Sequence, residues 1–230
     1  IFSHNDKIYS PKIIDCFIFY NELDLLNYRL NLLDDYVDYF VLVEATHTHA
    51  GKEKKLFYNK NKELFKKFKD KIIHIIVDDF PHKYPDIDIE KNEQWKNEHF
   101  QRNCIKRGID ELLLNDADII TICDLDEFPN PEIFKEIKEN KRKIEKINSL
   151  RMDMYYYNLN CKTNISDWIS PKIISYKEFI KLDITIHEFR YKKTDNIITN
   201  GGWHLSYFGD KEFIANKIEN YGHQEFNNDE

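Results

Sequence analysis

Four apolar runs, separated by stretches with helical spacing, constrain the fold of this chain more than any other feature. Ile13-Ile14-Asp15-Cys16-Phe17-Ile18-Phe19-Tyr20 is apolar at nearly every position, which predicts a strand buried on both faces. Tyr39–Ala45, Lys71–Asp79 and Asp118–Asp124 repeat the pattern. Between them lie Glu22–Leu33, with Leu23, Leu26, Leu30 and Leu33 at helical spacing, and Glu93–Leu114, expected as one long helix. Asn130-Pro131 supplies an N-cap and a first-turn proline for a helix expected to run to about Lys146. Strands alternating with helices imply βαβ units, so the expected fold is α/β, with a mostly parallel central sheet and helices on both faces.

The remaining third is less regular. Ser149–Leu159 and Lys172–Phe179 read as strands, Gly201-Gly202-Trp203-His204 as a glycine-hinged loop or strand start, and Asp210–Asn220 as a short final helix. With 230 residues, 41% hydrophobic and 14% aromatic, the chain suits one large domain over residues 1–230 and is too short for two full ones. The regular strand–helix alternation is expected over about 13–130 and the less regular part over about 147–226.

Charge excludes some classes. A net charge of −7 argues against a nucleic-acid or anionic-membrane binder, which needs a basic excess. No apolar run approaches the roughly 20 residues that span a bilayer. The lysine-rich stretches Lys60–Lys71 and Lys135–Lys146 read as solvated helix faces. Cys16, Cys104, Cys123 and Cys161 are irregularly spaced without a Cys-x-x-Cys pair, so thiolate zinc binding is not expected, and Cys16 and Cys123 read as buried free thiols. The sequon Asn164-Ile165-Ser166 matters only in a secretory lumen.

The chemistry concentrates where the fourth strand ends. Ile119-Ile120-Thr121-Ile122-Cys123 runs into Asp124-Leu125-Asp126-Glu127, which places three carboxylates together at the carboxyl end of a buried strand. In an extended chain Asp124 and Asp126 point to one side, roughly 6–7 Å apart. Such carboxylates repel one another unless a cation sits among them, and this end of an open α/β sheet is where ligands bind. Helix capping ahead of Asn130-Pro131 accounts for one carboxylate but not for three. Oxygen ligands suit Mg²⁺ or Mn²⁺, ions that bridge to substrate phosphates, so the pattern suggests a diphosphate. On the preceding helix Arg102 shares a stripe with Trp95, Ile109 and Leu113 and must meet an anion, either a nearby carboxylate or a ligand phosphate.

Several ordered blocks then carry a family resemblance. Asn21-Glu22-Leu23-Asp24-Leu25-Leu26 with Arg29-Leu30, Phe40-Val41-Leu42-Val43-Glu44 and Thr48-His49-Ala50-Gly51-Lys52 resemble the start of glycosyltransferase family 17. The likeness continues through Phe100-Gln101-Arg102-Asn103, Asp124–Pro129, Gly201–Phe208 and Lys217–Phe226, covering about Asp15 to Phe226. The animal members add β-1,4-linked N-acetylglucosamine to the core mannose of N-glycans. The resemblance implies a GT-A-like, Rossmann-like domain and an inverting transferase that uses a UDP-sugar, with N-acetylglucosamine as the expected sugar, and a divalent cation.

Under that resemblance Asp124 and Asp126 hold the cation, Mn²⁺ or Mg²⁺, against the donor diphosphate, and His204 is the candidate third ligand. His223 and Glu225 are held in reserve. His47 and His49, a His-x-His after a strand end, read as a surface loop rather than a metal site. Donor contacts are expected from Phe19, Tyr20, Asn21, Glu22, Glu44, Arg102 and Asp124, with Trp203 offering a face for a sugar or base. An inverting displacement needs a base, for which Glu127, Asp153 and Glu188 are candidates. The expected partners are a UDP-sugar and a glycan or glycoprotein acceptor. No signal or anchor is visible, so the compartment expected is the Golgi lumen for a trimmed eukaryotic enzyme and the cytoplasm for a microbial or viral one. Two alternatives remain: a haloacid dehalogenase-type phosphatase, which also places Asp-x-Asp after a strand but near the chain start, and a non-catalytic sugar-binding protein on a transferase-like fold.

Overall fold

Every residue of Ile13–Phe19 (β1) is buried, as a strand at the centre of a sheet requires. The structure is a computed structural model that describes residues 9–164 and 168–220. The other strands are β2 (Tyr39–Ala45), β3 (Ile72–Val77), β4 (Ile119–Ile122), β5 (Glu127–Pro129), β6 (Asn148–Tyr156), β7 (Lys172–Ser175) and β8 (Ile197–Ser206). The helices are α1 (Leu23–Leu33), α2 (Phe57–Lys60), α3 (Glu93–Asn103), α4 (Ile105–Asp110), α5 (Pro131–Lys138), α6 (Tyr176–Phe179), α7 (Ile186–Tyr191) and α8 (Lys211–Asn220), and Lys62–Phe68 forms a 3₁₀ segment.

The strands form one sheet in the order β3-β2-β1-β4-β7-β6-β8-β5. The first four are mutually parallel. β7 is antiparallel to both β4 and β6, β6 and β8 are parallel, and β5 closes the edge antiparallel to β8. The domain is therefore α/β with a mostly parallel sheet. Alternation along β1 feeds two cores: Ile13, Phe17 and Phe19 pack with Leu26 and Leu30 of α1 and Phe134 of α5. Ile14, Cys16 and Ile18 pack with Ile105 and Ile109 of α4 and Phe189 of α7. Helices thus cover both faces.

From β1 the chain runs outward through β2 and β3, then returns to add β4 on the other side of β1. The strand order switches there, and a crevice opens at the carboxyl ends of β1 and β4. Phe19–Glu22 and Asp124–Glu127 both lie at this crevice.

Several expected elements are shorter than their sequence patterns. The stretch from Glu93 divides at Cys104 into α3 and α4, and Gly108 lets α4 lie against β2, since a Cβ there would sit 2.5 Å from Val41 Cγ1. α5 stops at Lys138 because Asn140, at φ 56°, turns the chain into the left-handed region that ends helices. Lys172–Phe179 is a strand only to Ser175, followed by the single turn of α6. Gly201 and Gly202 lie inside β8, not at its start.

Candidate active site

The carboxylate segment does not continue β4. It turns at Leu125-Asp126, where the Glu127 N–H donates to the Asp124 carbonyl at 3.0 Å, and re-enters the sheet as β5. One buried side chain holds the turn. Arg29 of α1 is clamped by Asp15 of β1 at 2.7 and 2.8 Å, and its Nη1 donates to the carbonyls of Asp124, Leu125 and Glu127 at 3.1, 3.1 and 2.6 Å. β5 pairs Glu127 with His204, which brings the far end of the chain to the turn. Gly202 makes this pairing possible: its φ is 142°, and a Cβ there would lie 2.0 Å from the Phe128 carbonyl oxygen.

The expected repulsion among the three carboxylates is relieved by the protein's own cations. Asp124 accepts from Arg102 Nη1 at 2.5 Å and Arg190 Nη2 at 2.9 Å. Burial alone would raise the pKa of Asp124, but the two guanidiniums outweigh it and hold it below the ordinary carboxylate value. Arg102 also pairs with Glu98, one helical turn earlier on α3. Asp126 lies on the other side of the turn, with Lys217 Nζ of α8 at 3.2 Å and His204 Nε2 at 3.7 Å. Burial opposes its charge, yet Lys217 and His204 press its pKa far below the usual range. Desolvation lowers the His204 pKa, but Asp126 reverses the effect and raises it. Lys217 also reaches Glu22 at 3.5 Å, so α8 bridges the ends of β1 and β4.

Together these residues floor a cleft of about 760 Å³. Its carboxylates among the described residues are Glu22, Glu98, Asp124 and Asp126, and its aromatic walls are Trp95, Tyr156, Tyr157, Trp168, Tyr191 and Tyr207. A smaller hollow at the ends of β1 and β2 is lined by Phe19, Tyr20, His47, His49 and Lys54.

The structure therefore gathers Glu22, Arg102, Asp124, Asp126 and His204 in one cleft, and Phe19 and Tyr20 beside it. Asn21 bonds α8 through Asn216 at 3.3 Å. Other expectations are corrected. Glu127 is fully buried, with Arg190 on both carboxylate oxygens at 2.8 and 2.6 Å, so it is a structural counter-ion rather than a base facing the cleft. Asp153 faces away from Met154 and Tyr156, its cleft-lining neighbours on β6, and pairs with Lys162 at 2.8 Å. Glu188 closes the capping box of α7 with Thr185 and stays exposed. Glu44 is fully buried and accepts from the N–H groups of Tyr58 and Asn59 at the start of α2 and from His74, so it organises that helix instead of the donor site. Trp203 alternates away from His204 and does not line the cleft. His49 is buried against Gln101 at 2.8 Å, not in a surface loop. His223 and Glu225 lie outside the described residues.

Residues missed by sequence reasoning include Arg190, Glu98, Trp168 and Lys217. The Trp168 ring lies 4.5 Å from that of His204, tilted by 36°, and donates from Nε1 to Glu127 at 2.6 Å. The spacing of Glu98 to Arg102, four residues on one helix, was the one local signal available for any of them.

A divalent cation fits this donor set at two protein positions. Asp126 Oδ1 and His204 Nε2 face each other, and oxygen plus imidazole suits Mn²⁺. Both oxygens of Asp124 are already taken by guanidiniums. Among the described residues no group of three His, Cys, Asp or Glu side chains gathers as a metal cage. A cation bridging to substrate phosphates needs only one or two protein ligands.

Comparison with known proteins places this geometry in a family. Among curated protein sequences none matches this chain. A 4-diphosphocytidyl-2C-methyl-D-erythritol synthase from Anaerococcus prevotii is 10% identical, with a TM-score of 0.44 over 95% of this chain and 97% of that one. The mannosyltransferase PcManGT from Pyrobaculum calidifontis, solved with GDP-Man and Mn²⁺, is 11% identical, with a TM-score of 0.48 over 93% of this chain and 61% of that one. No described helix is long and apolar enough to cross a membrane. Residues 2–228 match the family described as Glycosyltransferase family 17, nearly the whole chain, and the protein belongs to that family.

Proposed function

We propose that this glycosyltransferase moves a sugar, N-acetylglucosamine, from a UDP-sugar to a hydroxyl of a glycan acceptor, with inversion and with Mn²⁺ or Mg²⁺ bound. The observation that carries this reading is the facing pair Asp126 and His204 on the floor of the cleft at the strand-order switch. Charge supports the cation. The described lining sets four carboxylates (Glu22, Glu98, Asp124 and Asp126) against Arg102, Arg190, Lys217 and His204, so each cation already faces a carboxylate and no surplus positive charge is left. A diphosphate gains little from a balanced floor, and an added cation would supply the positive charge that it needs.

When bound, the cation acts as a Lewis acid on the departing diphosphate. The chain's own residues prepare the place. Arg102 and Arg190 neutralise Asp124 and Glu127, Arg29 fixes the turn, and Phe19 and Tyr20 stand at the end of β1 beside the cleft. Trp168 packs against His204, with ring centres 4.5 Å apart and planes tilted by 36°, and so restricts the imidazole's orientation.

Membership of the family removes the phosphatase alternative. The sugar-binding alternative predicts donor binding without turnover, so one assay separates it. UDP-sugars and GDP-mannose are screened for thermal stabilisation with Mn²⁺ and with chelator, then for release of UDP. UDP-N-acetylglucosamine at about 100 times its Kd should add about 2.7 kcal/mol, a shift of roughly 5–10 °C, only when Mn²⁺ is present. Equal stabilisation in chelator, or preference for GDP-mannose, overturns the reading.

A further inference from the structure

β6 and β8 lie side by side and parallel, and their last registered pair is Tyr156 with Ser206. The next residue on each strand is a tyrosine, and both turn into the left-handed region: Tyr157 at φ 66° and Tyr207 at φ 54°. The Tyr157 N–H donates to the Ser206 carbonyl at 3.0 Å, which ties the two strand ends together. Left-handed backbone favours glycine and asparagine and penalises bulky side chains. Two adjoining strands that both end in a left-handed tyrosine keep the aromatic ring against the backbone's preference, a pattern that marks functional sites.

The rings form a cluster at the mouth of the cleft. Tyr156 and Tyr207 stack at 6.4 Å with planes 16° apart, and Tyr157 lies 5.8 and 6.5 Å from the two. Tyr157 is 56% exposed although it lines the cleft. Lys217 Nζ stands 5.7 Å from the Tyr207 ring and 3.2 Å from Asp126, so the cluster adjoins Asp126.

We infer that Tyr157 and Tyr207 form a platform for a pyranose ring, taking the axial C–H face of the acceptor sugar. Flat aromatic faces with a phenolic edge suit a ligand that is apolar on one face and hydroxylated around its rim. Its place in the reaction rests on the transferase reading, but the binding itself is measurable without turnover. A nucleobase would also stack on tyrosine. The pyranose is favoured because the tyrosines close β6 and β8, which β4 and β7 separate from β1, the strand whose carboxyl end borders the crevice at the strand-order switch.

The test uses saturation-transfer NMR with methyl β-D-glucopyranoside, methyl β-D-galactopyranoside and methyl α-D-mannopyranoside, and sorbitol as an acyclic control. The wild type should saturate the ring C–H protons of at least one glycoside and not sorbitol. The double variant Tyr157→Asn/Tyr207→Asn should weaken that glycoside about tenfold, and the double Phe variant should keep it. Asparagine adopts left-handed backbone more readily, which offsets part of the packing lost with the two rings, and stabilisation by UDP reports that the variant is folded. UDP with Mn²⁺ should stabilise the wild type and the Asn variant alike. If UDP does not stabilise the wild type while a glycoside still saturates, the donor reading fails and the platform stands. The platform is overturned if no glycoside saturates the wild type, if the Asn variant keeps its signal, or if the Asn variant loses the UDP stabilisation that the wild type shows.

Discussion

Replacing Glu127 by Gln tests whether this carboxylate is structural. Four N–H donors converge on its two oxygens: Oε2 accepts from Arg190 Nη1 at 2.8 Å and from the Asp124 N–H at 2.6 Å. Oε1 accepts from Arg190 Nη2 at 2.6 Å and Trp168 Nε1 at 2.6 Å. Glutamine has the same shape but only one oxygen. Whichever way the amide turns, its NH₂ faces two donors, and Arg190 loses one of its two anionic partners. Breaking a buried pair of this kind costs about 3–5 kcal/mol. At roughly 2–4 °C per kcal/mol for a chain of this size, the melting temperature should fall by roughly 6–20 °C. Thermal and urea unfolding of wild type, Glu127→Gln, Arg190→Met and the double variant would measure it, and the double variant should lose less than the sum of the singles. A Glu127→Gln protein that melts within about 2 °C of wild type, yet no longer transfers sugar, would refute the structural role and restore Glu127 as the base.

Asp126→Asn should abolish cation-dependent stabilisation by UDP and cost about 2 kcal/mol, because Lys217 and His204 lose their shared carboxylate. Since the folded pKa of Asp126 lies below its unfolded value, the gap between wild type and variant should shrink below about pH 4, and since Asp126 raises the pKa of His204 only in the wild type, it should narrow again as pH rises above 6.5, read by urea unfolding. Burial lowers the pKa of Lys54 to about 8, with Glu44 and Glu22 opposing. Between that value and the ordinary 10.5 the unfolded chain binds more protons, so wild-type stability should rise there relative to Lys54→Met, which should itself be more stable at pH 7. Gly202→Ala should cost at least about 2 kcal/mol and weaken UDP binding with Mn²⁺, because the new methyl meets the Phe128 carbonyl and displaces His204. An alanine variant with unchanged melting temperature would show that β5 can yield.

The strands were legible because an apolar run bounded by polar residues has one cheap solution, burial on both faces. Ile13–Phe19 and Tyr39–Ala45 therefore fall where their composition puts them. Helix ends were less legible, since the left-handed Asn140 and the packing of Gly108 on Val41 stop or redirect helices whose spacing would carry on. Within the site, Asp124 and Asp126 were visible as charge where charge is costly. The role of Glu127 was not, because its meaning depends on Arg190, 63 residues away in sequence.

The sequence by itself determined the layered α/β class, the strand end where carboxylates crowd, and, through its ordered blocks, the family. Those properties follow from local periodicity and from the order of residue types along the chain. Only the tertiary structure decided which cation meets which carboxylate: Arg102 and Arg190 on Asp124, Lys217 and His204 on Asp126. Pairings of this kind depend on distances of a few ångströms between segments up to 91 residues apart, and the fold alone sets them.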